Sequence, residues 1–220
     1  MPRKQQTFVV VGLGTFGSTV ANELARFGNH VTGIDLSERN VAAIADNLDR
    51  TLILDAREDI ALRDAGIDTC DIAVVAIGDD IEASILATIT LKTLGISKIW
   101  AKATSKNHHR ILSKLGVDRV IHPEKEVGTH IAQVLHNPLV RDYVSLGNGQ
   151  HVVNFLIPEA LEGRRLPELD HNKKYDLRCI GVLRGSEYLG SDGSDTTLEK
   201  DDLLLLLGSR QNLRDFAGSL

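Results

Sequence analysis

The chain has 220 residues, 42% of them hydrophobic, enough for one large domain or two modest ones. Thirty acidic residues against 25 Lys and Arg give a formal charge of −5, so nothing draws the chain as a whole to nucleic acid, and no apolar run approaches the roughly 18 residues of a membrane-spanning helix. Cys70 and Cys179 lack metal-ligand spacing and read as reduced, half-buried thiols, and MPRKQQTFVV lacks a secretion signal, so the expected compartment is the cytosol.

Thr7 to Val11 is a β-branched run that feeds directly into Gly12, Gly14 and Gly17 in G-x-G-x-x-G spacing. Phe16, Val20, Leu24 and Phe27 then recur at helical intervals, Gly28 and Asn29 supply a stop, and Val31 to Ile34 reads as a second strand ending in Asp35. In that context the three glycines do different things. The first turns the chain, the second lets backbone approach a phosphate, and the third lets helix and sheet pack closely. The helix start offers N–H groups to an anion. Asp35 can accept from ribose hydroxyls and would repel a 2′-phosphate, which argues against NADP.

Ser37 is expected to cap a helix carrying Val41, Ile44, Ala45 and Leu48 on one face. Thr51 to Leu54 reads as strand three, a short helix stops at Gly66, and the apolar Ile72 to Ile77 reads as a central strand covered on both faces. Gly78, Asp79 and Asp80 lead into a helix with Ile81, Ile85 and Ile89 on one flank. Lys98 to Lys102, Ser105 to Leu115 and Arg119 to His122 complete six strand-helix repeats. Such alternation predicts a Rossmann-like, doubly wound parallel sheet with its ligand crevice at the carboxyl ends of the strands. Gly12 to Gly17, Asp35, Asp55 with Ala56, Ala76 with Gly78, and Lys102 all fall at such ends.

Glu124 to Leu135 reads as one more helix, broken at Asn137-Pro138. From Val140 the pattern changes to short strand-like pieces, Val152 to Ile157, Cys179 to Leu183 and Leu203 to Leu207, separated by clusters such as Gly190 to Asp195, with a last helix over Gln211 to Ala217. The expected organisation is a nucleotide-binding domain over 1–137 and a small α+β domain over 138–220.

GLGTFG, ID at 34 and 35, LDARED from 54, AIGDD from 76, IWAKA from 99 and IHPEKEVG from 121 occur in the order found in the RCK (regulator of K⁺ conductance) family, which the whole chain resembles. The resemblance implies a non-enzymatic, cytosolic gating subunit with a small RCK-type C-terminal lobe. It implies that amino-terminal lobes pair, that dimers assemble into an octameric ring, and that the ring docks on an integral-membrane, KtrB-like potassium-translocating subunit. ATP or ADP would change the ring's shape. Gly12, Gly14, Thr15, Phe16 and Gly17 would surround the phosphates, Asp35 would hold the ribose, and Lys102 would lie near the phosphates. Glu124 would be associated with a divalent cation, Mg²⁺, at the ATP phosphates. Some related sequences carry an arginine where this one has Thr15, so the resemblance implies an ATP-over-ADP preference that is either smaller here or leans on Lys102 and Mg²⁺.

From the residues alone, His108, His109 and His122 read as surface or core histidines, and the tail acids Asp192, Asp195, Asp201 and Asp202 as solvated turns. The main alternative is an NAD(H)-dependent oxidoreductase or NAD(H) sensor, because the same loop and acid suit a dinucleotide. A DNA-binding repressor would need a basic helix or winged domain, which the sequence lacks.

Overall fold

The structure, a computed structural model, describes residues 5–192 and 194–219. Residues 1–4, the MPRK start, Gly193, within the expected Gly190 to Asp195 loop, and Leu220 lie outside the described residues. By compactness the chain divides between Pro123 and Glu124. That is earlier than the change of sequence pattern at 137, and the difference is the helix over Pro123–His136, which groups with the second unit.

In the first unit, β1 (Thr7–Val11), β2 (His30–Asp35), β3 (Arg50–Ile53), β4 (Ile72–Val75), β5 (Lys98–Lys102) and β6 (Arg119–Ile121) form one parallel sheet in the order β3-β2-β1-β4-β5-β6. The chain runs outward from β1 to β3 and then returns to lay β4 on β1's other side, so the switch in strand order falls beside the glycine turn. Helices α1 (Thr15–Arg26), α2 (Glu38–Ala42), α3 (Asp59–Asp64), α4 (Ile81–Thr93) and α5 (Lys106–Lys114) connect the strands. Because side chains alternate along a strand, β1 feeds two apolar layers: Val9 and Val11 join Ile34, Val75, Leu91 and Ala101, while Phe8 and Val10 join Val31, Val41, Ile44 and Val74. Both faces of the central strands are thereby dry.

One helix departs from its sequence reading. The segment after Ser37 leaves the α conformation at Ile44 (φ −126°) and passes through a tight turn over Ala45–Asn47 to extended Leu48. A methyl of Leu48 lies 2.9 Å from where a Cβ on Gly33 would stand, so Leu48 fills the space that the glycine leaves on β2. In α4 the buried residues are Ser84, Ala87, Thr88, Thr90 and Leu91, whereas Ile81, Leu86 and Ile89 are exposed. The small side chains allow close approach to the sheet, and the large ones face outward.

The second unit holds α6 (Pro123–His136), β7 (Val140–Gly147), β8 (Gln150–Leu156), α7 (His171–Tyr175), β9 (Arg178–Arg184), β10 (Glu187–Gly190), β11 (Leu203–Ser209) and α8 (Arg210–Ala217). Its antiparallel sheet has the order β10-β9-β11-β8-β7. Val153, Phe155, Val182, Leu204 and Leu206 alternate inward from three strands, and Phe216 of α8 seals them, edge-on to Phe155 (5.7 Å) and Tyr175 (5.5 Å). Asp202, read from sequence as a solvated turn acid, is fully buried instead. Arg184 donates to it from Nε (2.8 Å) and Nη2 (2.9 Å), and the Glu199 N–H donates at 2.8 Å.

Candidate nucleotide cleft

The strand register aligns the ends of three strands, since Val11 pairs with both Ile34 and Val75. The next residues along, Gly12, Asp35 and Ala76, are therefore neighbours, tied by Gly12 N–H to Ile34 O (2.8 Å) and Ala76 N–H to Val11 O (2.7 Å). A cleft of about 270 Å³ opens there, lined by Gly12, Gly14, Asp35, Asp55, Ala56, Ala76 and Gly78 among the expected residues.

The three glycines differ in their surroundings. Gly12 has φ +91°, and a Cβ on it would stand 3.0 Å from the Ala76 carbonyl carbon and the Ile77 nitrogen. On Gly17 a Cβ would overlap the Gly12 carbonyl oxygen, so this contact fixes how closely α1 approaches the turn. Around Gly14 nothing lies within 4 Å of a Cβ position. Gly14 is the N-cap of α1, without a side-chain cap and without an acid in the first turn. The amides of Thr15 and Phe16 thus open the helix with no internal acceptor and no competing carboxylate, which is the arrangement that receives an anion.

Asp35 joins the turn to β2. Its Oδ2 accepts from the Leu13 N–H (2.6 Å) and the Asn40 side chain (3.2 Å), and its Oδ1 from the Ser37 N–H (2.8 Å). A carboxylate has about four acceptor positions, so one remains for a ligand hydroxyl. At the end of β3, Asp55 is clamped by Arg57, with Nε at 2.9 and 3.0 Å from its two oxygens and Nη2 at 2.6 Å. That guanidinium holds the Asp55 carboxyl below its ordinary range, and Asp55 in turn raises Arg57.

The lining carries four carboxylates, Asp35, Asp55, Asp79 and Asp80, against one cation, Arg57. The wall itself is therefore no phosphate trap, and the nearby groups whose chemistry suits an anion are the open start of α1 and the Lys102 amine. Lys102 reaches from β5 to within 3.4 Å of a Cβ position on Gly78 and stands 5.7 Å from the centre of the Phe16 ring. Thr15, Phe16, Gly17 and Lys102 are not part of the cleft wall.

Glu124 stands in the first turn of α6, in the second unit, where the helix dipole favours an acid. Among the described residues no group of three His, Cys, Asp or Glu side chains gathers as a metal site. His108 is buried, and burial, then the charge of His122, lowers its pKa. His109 instead stacks on His122, ring centres 4.9 Å apart. Sequence reasoning missed Asn40 and Arg57. The D-x-R spacing of Asp55 and Arg57 was the available signal, since it lets the arginine fold back on the acid.

A parallel sheet switched at β1, with a glycine turn, an uncapped helix start and an acid ending β2, defines a Rossmann-type domain of the nucleotide-binding class, here followed by a small antiparallel lobe. Residues 8–123 match the TrkA-N domain and residues 152–220 the TrkA-C domain, and the chain belongs to the RCK family that these domains compose. It is 34% identical to the Ktr system potassium uptake protein A of Bacillus subtilis (strain 168) over 213 residues, covering 97% of this chain and 96% of that one. It is 31% identical to the protein of the same name from Vibrio alginolyticus over 220 residues, all of both chains. Among solved structures, the GsuK channel bound to NAD shares the fold, with a TM-score of 0.56 at 21% identity over 99% of this chain and 39% of that one.

Proposed function

We propose that this chain is a non-enzymatic, nucleotide-sensing subunit that regulates potassium uptake, with ATP or ADP in the cleft at the head of β1. The observation that carries the reading is its end-to-end likeness, through both domains, to Ktr system potassium uptake protein A. The adenosine lies along the wall with its ribose on Asp35, and the phosphates meet the Thr15 and Phe16 amides and Lys102. A Mg²⁺ ion accompanies the triphosphate.

Sensing requires that the two nucleotides favour different shapes, because a ligand bound equally by both shifts nothing. Turning a 1:99 population into 99:1 takes about 5.5 kcal/mol, whereas one charged hydrogen bond at a terminal phosphate supplies about 1.5 to 3 kcal/mol. One site is too weak, so several must act on one concerted assembly. The octameric ring, built from dimers and seated on the cytosolic face of a KtrB-like membrane subunit, supplies that multiplicity. Exposed Ile81, Leu86 and Ile89 on α4, and Val127, Ile131 and Leu135 on α6, are the apolar surface it would cover.

Potassium-uptake rescue in a deficient host tests this, with and without the membrane subunit, comparing the intact chain with Asp35→Ala. Rescue that needs the membrane subunit and fails with Asp35→Ala supports the proposal, and rescue by Asp35→Ala at full rate overturns the nucleotide's part in it. The alternative, NAD(H) as ligand, is favoured by the like fold of a channel named as NAD-bound. Titration with NADH, ADP and ATP separates the two, and an oxidoreductase would add a substrate-dependent change in nicotinamide absorbance.

A further inference from the structure

The second unit contains a larger cavity than the nucleotide cleft, about 350 Å³, between the end of α6, the β7–β8 pair and α8. Its volume falls within the range of small-molecule sites. Its floor is apolar, made of Val140, Val153, Phe155 and Leu213, and Ala217 continues it along α8. Two cations, Arg210 and Arg214, stand one turn apart on α8 and share its rim.

Neither arginine is neutralised. Among the described residues Arg210 has no acidic partner, and the side-chain bond made by Arg214 is a long one, from Nη2 to the side-chain Oε1 of Gln211 at 3.4 Å. Against a chain of net charge −5, two guanidiniums without an acidic partner among the described residues, over an apolar hollow, are a local reversal of sign. Gln133, on the α6 wall, adds a feature independent of the arginines. Its side-chain oxygen is buried without a hydrogen-bond partner among the described residues. A buried acceptor left unpaired costs free energy that a donor on a bound molecule would restore.

We infer that this cavity binds a small organic anion, an apolar or aromatic body bearing one carboxylate or phosphate, with the anionic group on Arg210 and Arg214, the body over Val153 and Phe155, and a donor on the body reaching Gln133. An apolar floor alone would accept a neutral molecule equally well, whereas the guanidinium pair selects a charged one, since its forked donors match the geometry of both carboxylate and phosphate. The site lies wholly within the second unit and is independent of the nucleotide reading.

The test uses the full chain and three probes: indole-3-acetate, hexyl phosphate and the neutral indole-3-acetamide. Calorimetry, with amide chemical shifts on α8 and β8, should show saturable binding of at least one anion and at least tenfold weaker binding of the amide. Arg210→Gln with Arg214→Gln should remove that preference, lowering anion affinity at least tenfold with the melting temperature unchanged, because both side chains are exposed. Ala217→Leu, which fills the floor and keeps the charges, should weaken all three probes. Preference for the carboxylate or for the phosphate identifies which anion the pair is built for, and either supports the site. No saturable binding by either anion, equal binding of the amide, or unchanged affinity in the double variant would overturn it.

Discussion

Gly14 and Gly17 look equivalent in the motif, yet their surroundings separate binding from folding. Gly14 has φ −63° and open space where a Cβ would go, so Gly14→Ala should cost at most about 1 kcal/mol, the usual loss on placing Ala at an N-cap, while blocking the approach of a phosphate. Gly17→Ala drives a methyl into the Gly12 carbonyl and should destabilise by about 1 to 3 kcal/mol or more. Thermal unfolding beside nucleotide titration distinguishes them. Asp35→Ala is a mixed case: it strands the Leu13 and Ser37 N–H groups and should cost about 1 to 3 kcal/mol of stability, besides removing the proposed ribose acceptor. The place of Asp35, at the end of β2 beside the glycine turn, was legible because strand, turn and acid follow in sequence. Its hold on Leu13 was not, because that bond exists only once β1 and β2 are paired.

The six parallel strands were legible because each is a compact β-branched or apolar run alternating with a helical segment. β7 and β10 were not, since β7 (VRDYVSLG) mixes polar and apolar residues at a sheet edge and β10 is four residues closed by Gly190. Asp202 misled for a related reason: its sequence neighbours are polar, and only the β9–β11 pairing brings Arg184 to it. Burial alone would raise the Asp202 carboxyl, but the Arg184 hydrogen bonds and the Glu199 N–H outweigh that and hold it low. A carboxyl whose pKa is lower folded than unfolded contributes stability above its ordinary value near 3.8 and loses it as pH falls through the folded value. His108 and His151 behave alike in sign. Burial lowers both, assisted by the charge of His122 for the first and of Arg210 for the second, so their contribution is complete above about pH 6.5 and fades below it. Melting temperature should therefore fall in two steps on acidification, beginning below about 6.5 and again below about 3.8, with Asp202→Asn removing the second in part. On α4, outward Ile89 contributes nothing to the buried layer, so Ile89→Glu should leave melting within about 0.5 kcal/mol of the parent while lowering the mass seen by light scattering.

The division of labour between the two units follows from chemistry visible in each. The first offers backbone donors, a carboxylate with acceptor capacity to spare and a lysine at one strand edge; the second offers a dry antiparallel core and an arginine-rimmed cavity. Family resemblance in the sequence named the class of protein correctly because several separated motifs occur in one order, which a lone glycine loop could not do. It could not distribute α6, whose helical pattern is continuous with the first unit in sequence yet which packs with the second. A regulatory reading asks the first unit to convert the presence of a terminal phosphate into a change of assembly, and everything in that conversion depends on an adenylate entering beside Gly14. Calorimetric titration of the purified chain and of Gly14→Ala with ADP and ATP tests this step. One saturable adenylate site per chain, weakened at least tenfold in Gly14→Ala while the variant still melts cooperatively and close to the parent, is the predicted result. No heat from either adenylate, or identical affinity in the two proteins, would contradict it.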